Sequence, residues 1–127
     1  DLRMSEDGWD VVTGGDDTSL VLSRYSGGQI TVIWRSDLSC GHSTQLTGLR
    51  ILGDLIVTSG VDQRLILWRH SRTAAGERVS WVRSKCVSVA DVSSLDILTE
   101  DARRLGVVLA GVGMERINVI KDEDCCQ

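Results

Sequence analysis

The stretch Val12-Thr13-Gly14-Gly15-Asp16-Asp17-Thr18-Ser19-Leu20-Val21-Leu22 aligns without a gap on Val57-Thr58-Ser59-Gly60-Val61-Asp62-Gln63-Arg64-Leu65-Ile66-Leu67, which lies 45 residues further along the chain. Each copy contains a short apolar run, a turn rich in Gly or Asp, and a second apolar run. This pattern is typical of two antiparallel strands joined by a tight turn. A weaker third copy, residues 108–119, has lost the aspartate. A repeat of this period predicts an all-β fold built from similar units.

Further strands are predicted between the copies of the repeat. Gln29–Arg35 and residues 79–83 have the pattern of outer strands, and Leu46–Leu52 and residues 95–98 that of inner strands. Loops are expected at 36–44, 70–77 and 99–104. Four strands in roughly 40–45 residues are the unit of a WD-repeat β-propeller blade.

The middle copy resembles the WD-repeat family in detail. Gly41 and His42 stand where the family has its Gly-His dipeptide, Asp62 where it has a turn aspartate, and Trp68 where its Trp-Asp dipeptide begins, with Arg69 in place of the Asp. We therefore predict an all-β, partial WD-repeat β-propeller of about two and a half to three four-stranded antiparallel blades. The expected division is a blade at 1–36 (strands b to d), one at 37–85 (a to d), one at 86–120 (a to c), and an acidic tail at 121–127.

Four segments, residues 41–50, 54–68, 89–92 and 110–114, carry a closer resemblance. They are similar to the C-terminal blades of large WD-repeat partner subunits of a tRNA 2′-O-methyltransferase, which help it modify the wobble position of the anticodon loop. The resemblance implies a non-catalytic scaffold whose protein partner is the methyltransferase and which meets tRNA through the complex. The alternative is a generic WD-repeat interaction scaffold in another cytosolic complex.

Composition agrees with a cytoplasmic scaffold. The four cysteines, two of them adjacent, make a poor disulfide framework and favour a reducing compartment. The longest nearly apolar run, residues 105–114, is about half the length of a membrane-spanning helix. We expect no membrane, no small-molecule substrate and no cofactor.

A histidine, a carboxylate and a hydroxyl invite a catalytic interpretation, because His42, Asp62 and Thr58 imitate the residue types of a catalytic triad. The family resemblance implies instead a buried structural network of His42, Thr58 (or Ser59), Asp62 and Trp68. A buried network whose hydrogen bonds are all made leaves no open position for a substrate, so no catalytic residue is predicted.

Metal and phosphate sites are not predicted either. Cys40 with His42, and Cys125 with Cys126, lack the paired spacing of zinc ligands. The glycines at 14–15 and 111–113 are not followed by a helix whose N-terminus could hold an anion.

Charge is unevenly distributed along this chain of formal net charge −4. Residues 64–85 carry six Lys or Arg against the single Glu77. This basic band is either a solvated rim or a patch that contacts tRNA phosphates through Arg64, Arg72 and Arg78. The family resemblance further implies that a protein partner meets the loops that carry Asp16, Ser43, Gln45 and Val61.

Overall fold

The computed structural model describes residues 1–6, 8–37, 41–99 and 103–120, so the predicted acidic tail at 121–127 lies outside the described residues. The strands, in chain order, are β1 (Leu2–Ser5), β2 (Gly8–Gly14), β3 (Leu20–Ser26), β4 (Gln29–Arg35), β5 (Leu46–Leu52), β6 (Leu55–Gly60), β7 (Arg64–Thr73), β8 (Gly76–Cys86), β9 (Ala90–Thr99) and β10 (Arg104–Ile120). No helix in the described part of the chain is long and apolar enough to cross a membrane.

The strands form three antiparallel sheets. β1-β2-β3-β4 and β5-β6-β7-β8 are four-stranded meanders, and β9 pairs with β10 in a third sheet. Successive strands pair in order and are joined by short turns, as in the blades of a propeller. The prediction of an all-β fold with partial WD-repeat blades is therefore confirmed.

The first sheet has one strand more than the sequence predicted. β1 pairs with β2 from Leu2↔Val11 to Ser5↔Gly8, so residues 1–36 contain four strands instead of strands b to d alone. The missed strand is only four residues long and half of its residues are polar. Such a segment has too little periodicity to be recognised as a strand before its pairing partner is known.

The loop expected at residues 70–77 is a second correction, because most of it is strand. β7 and β8 pair as far as Thr73↔Gly76, which leaves only residues 74–75 in the turn. His70, Arg72 and Glu77 looked like loop residues because they are polar. Their side chains are instead paired with other charged groups, as described below, and this pairing allows polar residues to continue the strands.

The third sheet contains a reversal of the chain inside β10. Arg104 and Asn118 line one cleft of about 250 Å³, whereas fourteen extended residues would separate them by roughly 46 Å. The chain therefore turns back between the two halves of β10, near Gly113, whose φ of 106° is open to glycine.

The middle sheet lies between the other two and is covered on both faces. All of β6 is buried because its side chains alternate between the faces: Ile56 packs toward the first sheet, while Leu55 and Val57 pack toward the third. We call the boundary between the first and second sheets the first interface, and that between the second and third sheets the second interface. The candidate functional groups lie mainly at the two ends of the first interface.

Candidate functional site

The four residues of the predicted structural network are brought together in the middle sheet. The strand β6 supplies Thr58, the turn after it supplies Asp62, β7 supplies Trp68, and the loop before β5 supplies His42. The ring of His42 lies 3.0 Å (Nδ1) from Asp62 Oδ1 and 2.8 Å (Nε2) from Thr58 Oγ1, and Trp68 Nε1 lies 2.9 Å from the same Thr58 oxygen. The side chains of His42 and Asp62 are 0% and 4% exposed. We call this set the His42 network.

The donors and acceptors of the His42 network match only one arrangement of protons. The Asp62 carboxylate can only accept, so His42 Nδ1 carries a proton and donates to it. In a neutral ring Nε2 must then accept the Thr58 hydroxyl proton, and the Thr58 oxygen accepts the indole N–H of Trp68. Burial lowers the pKa of His42, and Arg64 adds to this effect while Asp62 opposes it. Neutral His42 thus uses both ring nitrogens inside the protein.

Asp62 fixes the turn as well as the histidine. It accepts hydrogen bonds from the backbone N–H groups of Ser43, at 3.0 Å, and Arg64, at 3.2 Å. Burial alone would raise the pKa of Asp62, but the hydrogen bonds from His42 and from these two N–H groups outweigh it and lower that pKa. The carboxylate therefore ties the loop before β5 to the turn between β6 and β7.

Glycine is required where the loop passes the network. An added Cβ at Gly60 would lie 2.8 Å from His42 Nδ1 and 2.9 Å from the carbonyl oxygen of Gln45, both closer than packed atoms can approach. At Gly41, where φ is 115°, an added Cβ would meet the Trp68 ring at 3.2 Å. The Gly-His pair of the sequence is thus explained by contact with Trp68.

The first copy of the repeat does not build an equivalent network. Asp17, which aligns with Asp62, has a side chain that is 66% exposed and accepts one hydrogen bond, from the Ser19 N–H at 3.1 Å. The position of Trp68 is occupied by Ser23. The middle copy therefore locks its turn to a buried histidine, whereas the described residues of the first copy do not.

The residues predicted to meet a protein partner are all exposed: Asp16, Ser43, Gln45 and Val61. Backbone hydrogen bonds connect the segments that carry them. Val61 N–H donates to Gln45 O, and Leu46 N–H donates to Gly15 O, beside Asp16. These loops form one continuous edge above the His42 network, which we call the loop surface.

The three arginines predicted to contact RNA do not form one patch. Arg64 begins β7 and donates to Gly41 O at 2.9 Å, next to the His42 network. Arg72 lies at the other end of β7, roughly 26 Å away along an extended strand, and contacts carboxylates there. Arg78 is exposed on β8, in register with Ser71. The structure thus separates residues that are close in sequence.

A buried ionic cluster at the other end of the first interface was not predicted. Its centre is Asp10, whose side chain is 0% exposed and lies 2.8 Å from Arg24, 3.0 Å from Arg3 and 3.3 Å from Arg72. Arg24 also donates two hydrogen bonds to the Glu77 carboxylate, of 2.6 and 2.9 Å. Together with His70, these residues form what we call the Asp10 cluster: Arg3, Asp10, Arg24, His70, Arg72 and Glu77.

His70 has a single consistent proton arrangement in the Asp10 cluster. Arg3 Nη2 lies 2.6 Å from His70 Nδ1, and a guanidinium can only donate, so Nδ1 must accept. The proton is then on Nε2, which donates to Glu77 at 3.0 Å. Hydrogen bonding to Arg24 lowers the pKa of Glu77. Burial would raise the pKa of Asp10, but the hydrogen bonds from Arg24 and Arg3 outweigh burial and lower it. No sequence motif marks this cluster, whose members come from five strands.

In the described part of the chain, no group of three or more His, Cys, Asp or Glu side chains is placed so that it could hold a metal ion. A cleft of about 650 Å³ opens beside the Asp10 cluster and is lined in part by Arg3, His70 and Arg72. Because these three side chains already bond to each other or to Asp10, their first role is to join the first two sheets.

Comparison with known proteins agrees with the geometry. No protein-family model matches the chain. The tRNA (34-2′-O)-methyltransferase regulator WDR6 of Bos taurus is 34% identical over 94 residues, that of Mus musculus 33%, and that of Homo sapiens 32%. Each match covers 71% of this chain and 8% of the relative's own length.

These relatives are named as regulators of a methyltransferase and not as methyltransferases. The resemblance seen in the sequence is therefore confirmed by proteins that share about a third of the matched residues. Blade-like sheets and the His42 network agree with it, and the chain resembles the WD-repeat family as a segment similar to part of the WDR6 regulators.

Proposed function

We propose that the protein is a non-catalytic WD-repeat subunit that supports 2′-O-ribose methylation of tRNA at the wobble position. The observation that carries the proposal is the similarity to regulators of the tRNA 34-2′-O-methyltransferase over 71% of this chain. Since the match spans only 8% of those regulators, the proposal concerns the protein of which this chain is a part.

The chemistry of the described residues favours a scaffold over an enzyme. A general base needs a lone pair that can reach a substrate. His42 has none to offer, since its two ring nitrogens bond to Thr58 and Asp62, and His70 is held between Arg3 and Glu77. Both histidines are at most 6% exposed. Their hydrogen bonds serve to hold loops and sheets in place.

The loop surface is our proposed contact for the protein partner. Its edge is exposed, yet Asp62 and the backbone bonds of Gln45 hold it in a fixed shape. A preformed surface binds without a large cost for ordering loops. We propose the methyltransferase as the partner, tRNA as a ligand met through the complex, and the cytoplasm as the compartment.

Purification of the full-length protein from cells tests this proposal. A ribose 2′-O-methyltransferase should copurify with it and should be depleted when Gln45 and Val61 are both changed to Arg. The purified protein alone should not bind the methyl donor in calorimetry. Copurification of an unrelated complex without any methyltransferase would contradict the proposal and favour the generic interaction scaffold.

A further inference from the structure

The turn of the third sheet, residues 111–114, exposes two large apolar side chains. Val112 and Met114 are 71% and 76% exposed, which places them among the most exposed apolar residues that the structure describes. The third copy of the repeat aligns Val112 with Val61 of the loop surface. We call residues 111–114 the apolar turn, and its place in the repeat puts it at the same end of its sheet as the loop surface.

A carboxylate ties the apolar turn to the segment before its sheet, as Asp62 does in the middle copy. Asp62 accepts the backbone N–H of Ser43 at 3.0 Å, and Glu115 Oε2 accepts the backbone N–H of Ser88 at 2.7 Å. The aspartate that the third copy has lost aligns with Gly113, so its replacement lies two positions further along the chain. The third copy therefore keeps the tie while its turn carries no charge.

The base of the apolar turn is packed and its tip projects. An added Cβ at Gly111 would lie 2.5 Å from the carbonyl oxygens of Ala90 and Asp91, so only glycine allows this approach of two backbones. An added Cβ at Gly113, where φ is 106°, would meet no atom of the described residues within 4 Å. Apolar side chains on a projecting turn with a fixed base can be buried by a partner at little cost in ordering.

The apolar turn is continuous with the loop surface through the segment 87–89. In the turn between β6 and β7, Gln63 O accepts the backbone N–H of Val87 at 2.8 Å, and Gln63 Nε2 donates to Val89 O at 3.3 Å. Ser88, between these two residues, is the one held by Glu115. Both turns are thus fixed against the same three residues and present one joint surface.

Two exposed carboxylates border this joint surface. Asp16 belongs to the loop surface, and Asp91 lies beside the apolar turn because Gly111 packs on its backbone. Charges at the rim of an interface attract a partner of opposite charge and speed its association. The joint surface therefore fits a partner with an apolar pocket and a basic rim.

We propose that the apolar turn is the anchor for the protein partner of the loop surface. Val112 and Met114 enter an apolar pocket of the partner, and basic side chains around this pocket face Asp16 and Asp91. A few buried apolar anchors inside a polar rim supply most of the affinity of such interfaces. The inference rests on the proposed function for the identity of the partner, which is the methyltransferase.

The test measures binding of the full-length protein to purified, immobilised tRNA 34-2′-O-methyltransferase by surface plasmon resonance. We expect Val112→Ser/Met114→Gln to weaken binding by about tenfold or more, mainly through faster dissociation. The control Ile30→Ser/Val32→Ser changes apolar side chains of β4 that are 72% and 58% exposed, and it should leave the affinity unchanged. Val112→Ile/Met114→Leu keeps the apolar character of the turn and should retain the affinity.

The basic rim of the partner is tested with Asp16→Asn/Asp91→Asn. This variant should associate more slowly at low salt and should show a weaker salt dependence than the wild type. A salt dependence equal to that of the wild type would overturn the basic rim.

Thermal melts first establish that each variant folds like the wild type. Wild-type affinity of Val112→Ser/Met114→Gln would overturn the anchor and leave the proposed function intact. Equal weakening by the Ile30→Ser/Val32→Ser control would overturn the anchor too, because loss of apolar surface at any place would then explain the result. A wild type that does not bind the methyltransferase would overturn the anchor and the proposed function together.

Discussion

The two interfaces of the middle sheet are built from different chemistry. The second interface is an apolar cluster in which Leu105, Val107 and Leu109 are 0% exposed. The first interface has a smaller apolar centre, with Ile56, Ile66 and Trp68, and a polar group at either end: the His42 network and the Asp10 cluster.

This contrast in chemistry indicates how each pair of sheets is held in place. Apolar contact is nondirectional, so the second interface is stabilised by the area it buries. Buried hydrogen-bonding and charged groups are costly unless their partners are correctly placed. The first interface therefore favours the arrangement in which Asp10 meets Arg72 and Arg24 meets Glu77 across the two sheets. The His42 network acts within the middle sheet, where it fixes a loop and a turn beside this interface. The same contrast appears within the repeat. Asp10, the centre of the ionic cluster at the first interface, aligns with Leu55, an apolar residue of the second interface.

The largest effect is expected at the centre of the Asp10 cluster. Asp10→Asn removes the buried charge that three arginines share, and loss of one partner of a buried ionic group costs about 3 kcal/mol or more. Urea unfolding followed by tryptophan fluorescence measures the change. The control is Asp54→Asn, because that side chain is 68% exposed and 4.0 Å from Arg69; it should change stability by less than about 0.5 kcal/mol. Equal losses of stability in the two variants would contradict a stabilising role of the Asp10 cluster at the first interface.

The next effect concerns the His42 network. Asp62→Ala leaves the buried N–H of His42 and two backbone N–H groups without their acceptor, which should cost about 1–3 kcal/mol. Asp17→Ala is the matched change in the first copy of the repeat, where the carboxylate is 66% exposed, and should cost clearly less. Similar shifts of the urea midpoint for both variants would contradict the buried role of Asp62.

A smaller effect should appear as pH dependence confined to the first interface. Burial lowers the pKa of His42 below its ordinary value of 6.5, so the unfolded chain takes up a proton more readily than the folded one. The contribution of His42 to the free energy of unfolding is complete above about pH 6.5, and it is lost as the pH falls through the pKa that His42 has in the folded protein. The pKa values of three carboxylates are lowered too: Asp10, Asp62 and Glu77. Their contribution to the free energy of unfolding is lost only as the pH falls below their ordinary pKa values of 3.8, 3.8 and 4.5.

Urea unfolding of the His42→Gln variant and of the wild type between about pH 7.5 and about pH 5 isolates the contribution of His42 from that of the carboxylates. The variant should show a flatter pH dependence than the wild type over this range. Val107→Ala, which removes only apolar area from the second interface, should lower stability by the same amount at each pH. A pH dependence that His42→Gln leaves unchanged would mean that the histidine does not couple to folding.

The smallest effect on stability is expected at the loop surface. Gln45 and Val61 are exposed, and Val61 is 41% accessible. Changing both to Arg should alter stability by less than about 0.5 kcal/mol, because exposed side chains away from the interfaces contribute little. The same change should reduce copurification of the protein partner. A large loss of stability in thermal melts would show instead that this edge is structural.

Sequence alone predicted the parts of the fold that depend on local pattern. Gln29–Arg35 and Leu46–Leu52 have the bounds expected of them, and the hairpins of the first two repeat copies lie where the Gly- and Asp-rich turns placed them. The spacing of His42, Asp62 and Trp68 was informative because a family pattern exists for it.

The Asp10 cluster could not be predicted in the same way. Asp10 contacts Arg3 and Arg24 within its own sheet, but Arg72 lies 62 residues away in sequence. The pairing depends on how two sheets pack, and no local spacing encodes that contact. Residues 70–77, which include His70, Arg72 and Glu77, were expected to form a loop and carried no pattern that pointed to this cluster. The excess of basic residues between 64 and 85 led us to predict that Arg72 faces solvent. In the structure its carboxylate partners, Asp10 and Glu77, lie in the first interface.

The most direct test of the proposed function is mass spectrometry of the wobble nucleotide in tRNA from cells that lack the protein. We predict that 2′-O-methylation at this position falls and that the full-length wild-type protein restores it. The Gln45→Arg/Val61→Arg variant should restore it poorly although it folds normally. Unchanged wobble methylation in cells without the protein would contradict the account.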